Sequence, residues 1–176
     1  MTKDLLKREE DYKAEISSAK NAIRHILNTP EPFRLIHKKR LIGEMIWRIT
    51  EGDGLLSEEK RTGYKKHLTY ISESVKKRRD VGNYDISDLI HEHVFKKSRL
   101  VDKLIANPVG IDEILKNAIA CVVTKEEHKI LHKLDKTDKE IDGWERYIKA
   151  RIGVWNERNK EWKIDYKDFV QSDNKN

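Results

Sequence analysis

The sequence predicts a mainly α protein, with a helical N-terminal bundle, a small embedded strand–strand–helix element and a helical C-terminal tail. Three observations predict this. Apolar residues recur at helical spacing through the first eighty residues. The pattern then changes to two short strand-like runs, the mixed apolar and polar Leu89 to Phe95 and the apolar Ala118 to Val123. Helical spacing returns after Thr137, carrying three tryptophans.

In chain order, Leu5, Tyr12, Ile16, Ala19, Ile23 and Ile26 mark a long amphipathic helix that Asn28-Thr29-Pro30 stops. A second helix starts after Pro32 and carries Phe33, Ile36, Leu41, Met45, Ile46 and Ile49, with Glu51-Gly52-Asp53-Gly54 as the turn that ends it. Ser57 is a candidate N-cap for a third, with Tyr64, His67, Leu68, Ile71 and Val75 on one face. Residues 1–80 would form the bundle.

Gly82-Asn83 signals a turn before the first strand. Lys97 to Ile105 is helical through Leu100, Val101, Leu104 and Ile105, with Asn107-Pro108 at its end, and a short helix follows from Asp112 to Lys116. Ala118 to Val123 reads as a buried strand. Thr124-Lys125-Glu126-Glu127 is then a capping box, in which Thr124 bonds into the first turn and Glu127 bonds back. In the tail (137–176), Trp144, Tyr147, Ile148, Ile152, Trp155 and Trp162 would pack a helix on the body; Gly153 would kink or end it, and 171–176 would fray.

The 176 residues fit one domain with a helical appendage. No apolar run has the length of a membrane span, and the start MTKDLLKREE has no secretory apolar region; a cytoplasmic protein is expected. The single cysteine, Cys121, excludes an internal disulfide and fits a reducing compartment. Basic side chains number 37 against 31 acidic, for a net charge of +6, and the excess is clustered. Lys38-Lys39-Arg40 is one knot. Lys76-Lys77-Arg78-Arg79 and Lys96-Lys97 with Arg99 flank the first strand and would neutralise phosphates of a polyanion.

Four of the seven histidines fall in 42 residues, as His91-Glu92-His93 and His128-Lys129-Ile130-Leu131-His132. In a regular strand His91 and His93 share a face and Glu92 points the other way. On the capped helix, positions 128 and 132 lie one turn apart, and two neutral imidazoles there can bind one cation.

The stretch from about Asp85 to Lys133 resembles the HNH nucleases, whose ββα-metal fold places an acidic residue or histidine before a catalytic histidine at the end of the first strand. Glu92-His93-Val94 is similar to that element, and Val122 to His128 is similar to the variant in which a capped helix replaces a cysteine knuckle. The resemblance implies an HNH-like core over 81–136 and a hydrolase that cuts DNA as an endonuclease. His93 would be the general base; Glu92, His128 and His132 would hold one divalent ion (Mg, Mn, Ni or Zn). His91 would be a supporting or alternative ligand. The family's middle asparagine would fall at Ile119, with Asn117 the nearest candidate, and its proline three positions after the catalytic histidine is Lys96 here. Lys96, Lys97, Arg99, Lys76, Lys77, Arg78 and Arg79 would bind the nucleic acid. Phage or defence settings are typical of such proteins, and a protein partner or homodimer fits as well.

Two alternatives compete. One is a structural metal site with His91, His93, His128 and His132 as a closed shell. The other is a helical module that binds nucleic acid or protein without catalysis.

Overall fold

The computed structural model describes residues 3–30, 34–52, 65, 68–82, 85–165 and 169. Two helices open the chain, α1 (Lys3–Asn28) and α2 (Leu35–Gly52), and pack against each other. Ala19 and Ile23 of α1 and Ile42, Ile46 and Ile49 of α2 form one apolar core with α4 (Lys97–Ala106) and α5 (Ile111–Leu115). Pro32, Phe33, Asp53-Gly54, Ser57, Tyr64, His67, Asn83 and 171–176 lie outside the described residues.

The expected third helix is only partly a helix. Tyr70–Ser72 form a strand, β1, and α3 follows at Glu73–Asp80, so Ile71 and Val75 belong to different elements. The physical reason is pairing: β1 bonds in parallel to β3 (Ala120–Thr124) on one side and antiparallel to β4 (Val154–Asn156) on the other. Ser72 then caps α3 by accepting from Val75 N at 3.3 Å.

The C-terminal tail also departs from expectation. Helix α7 covers only Trp144–Lys149; β4 and β5 (Glu161–Ile164) then form an antiparallel hairpin. Arg151 at φ 54 turns the chain out of the helix, and the Asn156 side chain accepts from Arg158 N and Asn159 N to start the hairpin turn. Helical spacing of the apolar residues matches a longer helix, but the structure buries Ile152 with Leu131 and Tyr147 and packs Trp155 against the Val75 cluster on the other face of the sheet.

With β2 (Leu89–His93), these strands make one sheet in the order β2-β3-β1-β4-β5. It draws strands from all three segments 1–80, 81–136 and 137–176. Its interior strand β3, ACVVT, lies between β2 and β1, is buried along its whole length and is rich in β-branched residues. Register places Ile71, His91, Val122 and Trp155 on one face, and Tyr70, Glu92 and Cys121 on the other. The first face is covered by Val75 of α3 and, at the His91 edge, by α2. The second packs against Leu131 of α6 (Lys125–Thr137) and Tyr147 of α7. The antiparallel β2–β3 pair leads directly into α6, so the strand–strand–helix order is present. Among the described residues, no helix is long and apolar enough to cross a membrane.

Candidate active site

The start of α6 is fixed by the predicted capping box. Glu127 N donates to Thr124 Oγ1 at 3.2 Å, and Thr124 N donates to Glu127 Oε2 at 2.9 Å. The same Oε2 accepts from Ser72 Oγ at 2.6 Å, which ties the helix to β1. With the first turn anchored at both strands, the side chain one residue later, His128, is aimed at β2.

There it meets Glu92. His128 Nδ1 stands 2.7 Å from Glu92 Oε2, and His132 stacks on His128 one turn along, with ring centroids 6.2 Å apart at 14°. Glu92 is 13% exposed and His128 42%, so the carboxylate sits behind a ring whose outer edge reaches solvent. A carboxylate on Nδ1 selects the Nδ1–H tautomer and leaves the Nε2 lone pair available to a proton or a cation.

Glu92 has a second partner. Arg146 of α7 is 2% exposed and donates from Nη2 to Glu92 Oε1 at 3.0 Å. Its remaining N–H groups reach Asp135 Oδ1 at 2.9 Å, Asp135 Oδ2 at 2.8 Å, His93 O at 2.9 Å and Val94 O at 3.2 Å. All five guanidinium donors are therefore used. One buried cation joins strand β2 to helices α6 and α7, and the two carboxylates hold its guanidinium in the charged form.

The other two histidines stand elsewhere. His91 and His93 point to the opposite face of β2, as strand alternation requires. His91 Nε2 is 3.1 Å and His93 Nε2 3.4 Å from the one hydroxyl of Thr50, and Trp47 stacks on His91 at 4.6 Å. Thr50 donates its hydrogen to Trp47 O at 2.9 Å, so its oxygen accepts from both rings and both carry their proton on Nε2. Burial lowers the pKa of His91 to about 3 and of His93 to about 4, with Lys97 adding to both shifts. These are neutral imidazoles locked under α2.

The structure thus brings together Glu92, His128 and His132, and leaves His91 and His93 across the strand. A closed shell of four histidines is not assembled. Asn117 lies in the turn before β3, three residues ahead of Ala120, the partner of His93.

The cations expected to hold phosphates are mostly matched by carboxylates. Lys76 pairs with Asp80 and Lys77 with Glu73, each at 2.6 Å; Arg79 pairs with Glu157 at 2.7 Å. Arg78 reaches Glu126, Lys96 reaches Asp135, and Arg99 reaches Asp142. Lys97 instead sits over the Trp47 ring at 5.5 Å. The knots that look cationic in sequence are locally close to neutral.

Sequence reasoning missed Arg146, Asp135 and Thr50. Asp135 had a usable signal, since it continues the helical stripe of His128 and His132 at the next turn. Arg146 and Thr50 had none, because their roles depend on which distant elements they meet. No family model, no curated protein and no solved structure matches the chain.

Proposed function

We propose that the chain is a metal-dependent endonuclease that hydrolyses phosphodiester bonds in DNA, with β2, β3 and α6 as its catalytic element. The observation that supports this is the contact of Glu92 Oε2 with His128 Nδ1 at 2.7 Å, made across an antiparallel strand pair and the capped helix that follows it. This is the HNH order of elements, with the acidic strand residue and the first helix histidine in contact.

The donor set fits a divalent ion in part. His128 offers Nε2, His132 offers a second nitrogen one turn away, and Glu92 stands behind His128 as its orienting carboxylate. Among the described residues, no three His, Cys, Asp or Glu side chains converge on one point, so an ion would take its other ligands from water and substrate. Two imidazoles suit Mn, Ni or Zn better than Mg. Bound there, the ion supplies Lewis-acid stabilisation of charge on the phosphate and the departing oxygen. Glu92 keeps the His128 ring in one tautomer, Arg146 holds the Glu92 carboxylate in place, and Asp135 balances Arg146.

The test is supercoiled plasmid incubated with Mg, Mn, Ni or Zn. Wild type converts it to nicked or linear forms, and His128→Ala does not. Retained cleavage in His128→Ala, or none by wild type in any metal, overturns the proposal. His93→Ala run alongside assigns the base: loss of cleavage with the fold intact gives that role to His93, and retention puts the chemistry on the helix side of the strand.

A second reading, a nucleic-acid-binding module without catalysis, is favoured by one observation. Arg146 engages Glu92 and Asp135 completely, as a purely structural ion network would. That reading predicts plasmid retarded in a gel and never cut.

A further inference from the structure

We infer that the outer face of α6 is the track along which the nucleic-acid backbone lies, held by Lys129, Lys133 and Lys136. This rests on the nuclease reading for the identity of the polyanion, and on charge and geometry for its place.

The charge argument is one of contrast. The knots at Lys76 to Arg79 and at Lys96 and Arg99 have carboxylates within ion-pair distance. Lys129, Lys133 and Lys136 have none among the described residues, and Lys129, Lys133 and Lys136 are all exposed. The acidic members of the same helix are occupied elsewhere. Glu126 faces Arg78, Glu127 is buried on Ser72 and Thr124, and Asp135 is held by Arg146. Among the described residues, the unpaired positive charge of α6 itself is therefore concentrated in these three lysines.

Helix geometry puts them beside the dyad. At 100° per residue, Lys129, Lys133 and Lys136 fall within a sector of roughly 60°. His128 and His132 border that sector on the side facing β2, and Leu131 lies opposite, in the core. Along the axis the three lysines span about 10 Å, roughly one cation per turn. A backbone running along this face would pass the outer edge of His128, whose side chain is 42% exposed and whose Nδ1 is held by a carboxylate. Long lysine stems can follow phosphates without fixed geometry, which suits contacts that position a strand and read no sequence.

The experiment is binding of a fluorescein-labelled DNA duplex by fluorescence anisotropy, in EDTA to prevent cleavage, across 50 to about 300 mM salt. Each phosphate contact contributes about 0.9 to the slope of log K against log salt, so Lys129→Ala/Lys133→Ala/Lys136→Ala should lower the slope by about 2.7. Lys76→Ala/Lys77→Ala should change it by less than about 1. Alanine favours helix, and the far-UV circular dichroism of the triple variant should match wild type. An unchanged slope in the triple variant overturns the track while plasmid cleavage by wild type leaves the nuclease reading standing. Absence of salt-dependent binding by wild type also overturns the track, and plasmid cleavage then decides the nuclease reading separately. A fall in slope with no cleavage in any metal keeps the track and removes the catalysis.

Discussion

Arg146 donates to Glu92 Oε1 at 3.0 Å from a position only 2% exposed, so the acidic member of the candidate site is neutralised by a cation that solvent cannot reach. Removing it leaves Glu92 and Asp135 partly buried without a counter-ion, and breaking such a pair costs about 3–5 kcal/mol. We expect Arg146→Gln to lower the urea midpoint by a corresponding amount. The double variant Arg146→Gln/Glu92→Gln should recover part of the loss, because the stranded charge is then gone. Strictly additive losses would mean that the contact carries no energy.

The next contact outward predicts a functional effect. Glu92 Oε2 fixes the His128 ring through Nδ1, and outer partners of this kind are worth about 10–100-fold in metal affinity. Glu92→Gln should weaken binding of Zn or Ni by that factor in titration calorimetry, while His93→Gln, on the opposite face, leaves it unchanged. Equal weakening by both would show that the two faces of β2 do not act separately.

His91 and His93 make the fold sensitive to moderate acid. Their folded pKa values, about 3 and about 4, lie below the ordinary 6.5 of an unfolded histidine. Between those values the unfolded chain binds more protons than the folded one, so stability rises with pH. The contribution is complete above about pH 6.5 and is lost as pH falls toward 4, at up to about 1.4 kcal/mol per pH unit for each histidine. The depressed carboxyls Asp80, Asp112 and Asp138 act in the same direction but at lower pH, below the ordinary carboxylate range. Midpoints of thermal unfolding measured from pH 7 to 4.5 should therefore fall steeply in wild type and much less in His91→Gln/His93→Gln. The same slope in both proteins would place the acid sensitivity elsewhere.

These effects sort by what was readable in the chain. Thr124 and Glu127 announced the start of α6 because a capping box is a local device, complete within four residues. The division of His91 and His93 from Glu92 follows from strand alternation alone. By contrast, Tyr70–Ser72 is three residues long in a stretch of helical spacing, and becomes a strand only because β3 and β4 flank it. The β4–β5 hairpin was hidden by tryptophans that fit a helix equally well. Arg146 carries no local mark of its role; its burial comes from β2 and α6, which no local pattern connects to it.

The entry into α7 offers a control on this arrangement. Gly143 immediately precedes the helix that carries Arg146, has φ +64, and a Cβ there would lie 2.6 Å from Cε1 of Phe95. The Phe95 ring packs against two of the three cores and cannot swing clear without loosening them. Gly82 has a similar φ of +73 but open space where a Cβ would go. Gly82→Ala should therefore cost only the backbone term, about 1 kcal/mol. Gly143→Ala should cost about 3 kcal/mol or more in all, because its ψ of −149 puts it in a backbone region essentially restricted to glycine and because overpacking against Phe95 adds about 1–3 kcal/mol. The shift of α7 should also weaken the grip of Arg146 on Glu92, so Gly143→Ala should reduce metal affinity at His128 whereas Gly82→Ala should not. Equal unfolding midpoints for the two variants would show that neither the backbone at 143 nor Phe95 resists a Cβ, and that α7 does not depend on the glycine to hold Arg146 in place.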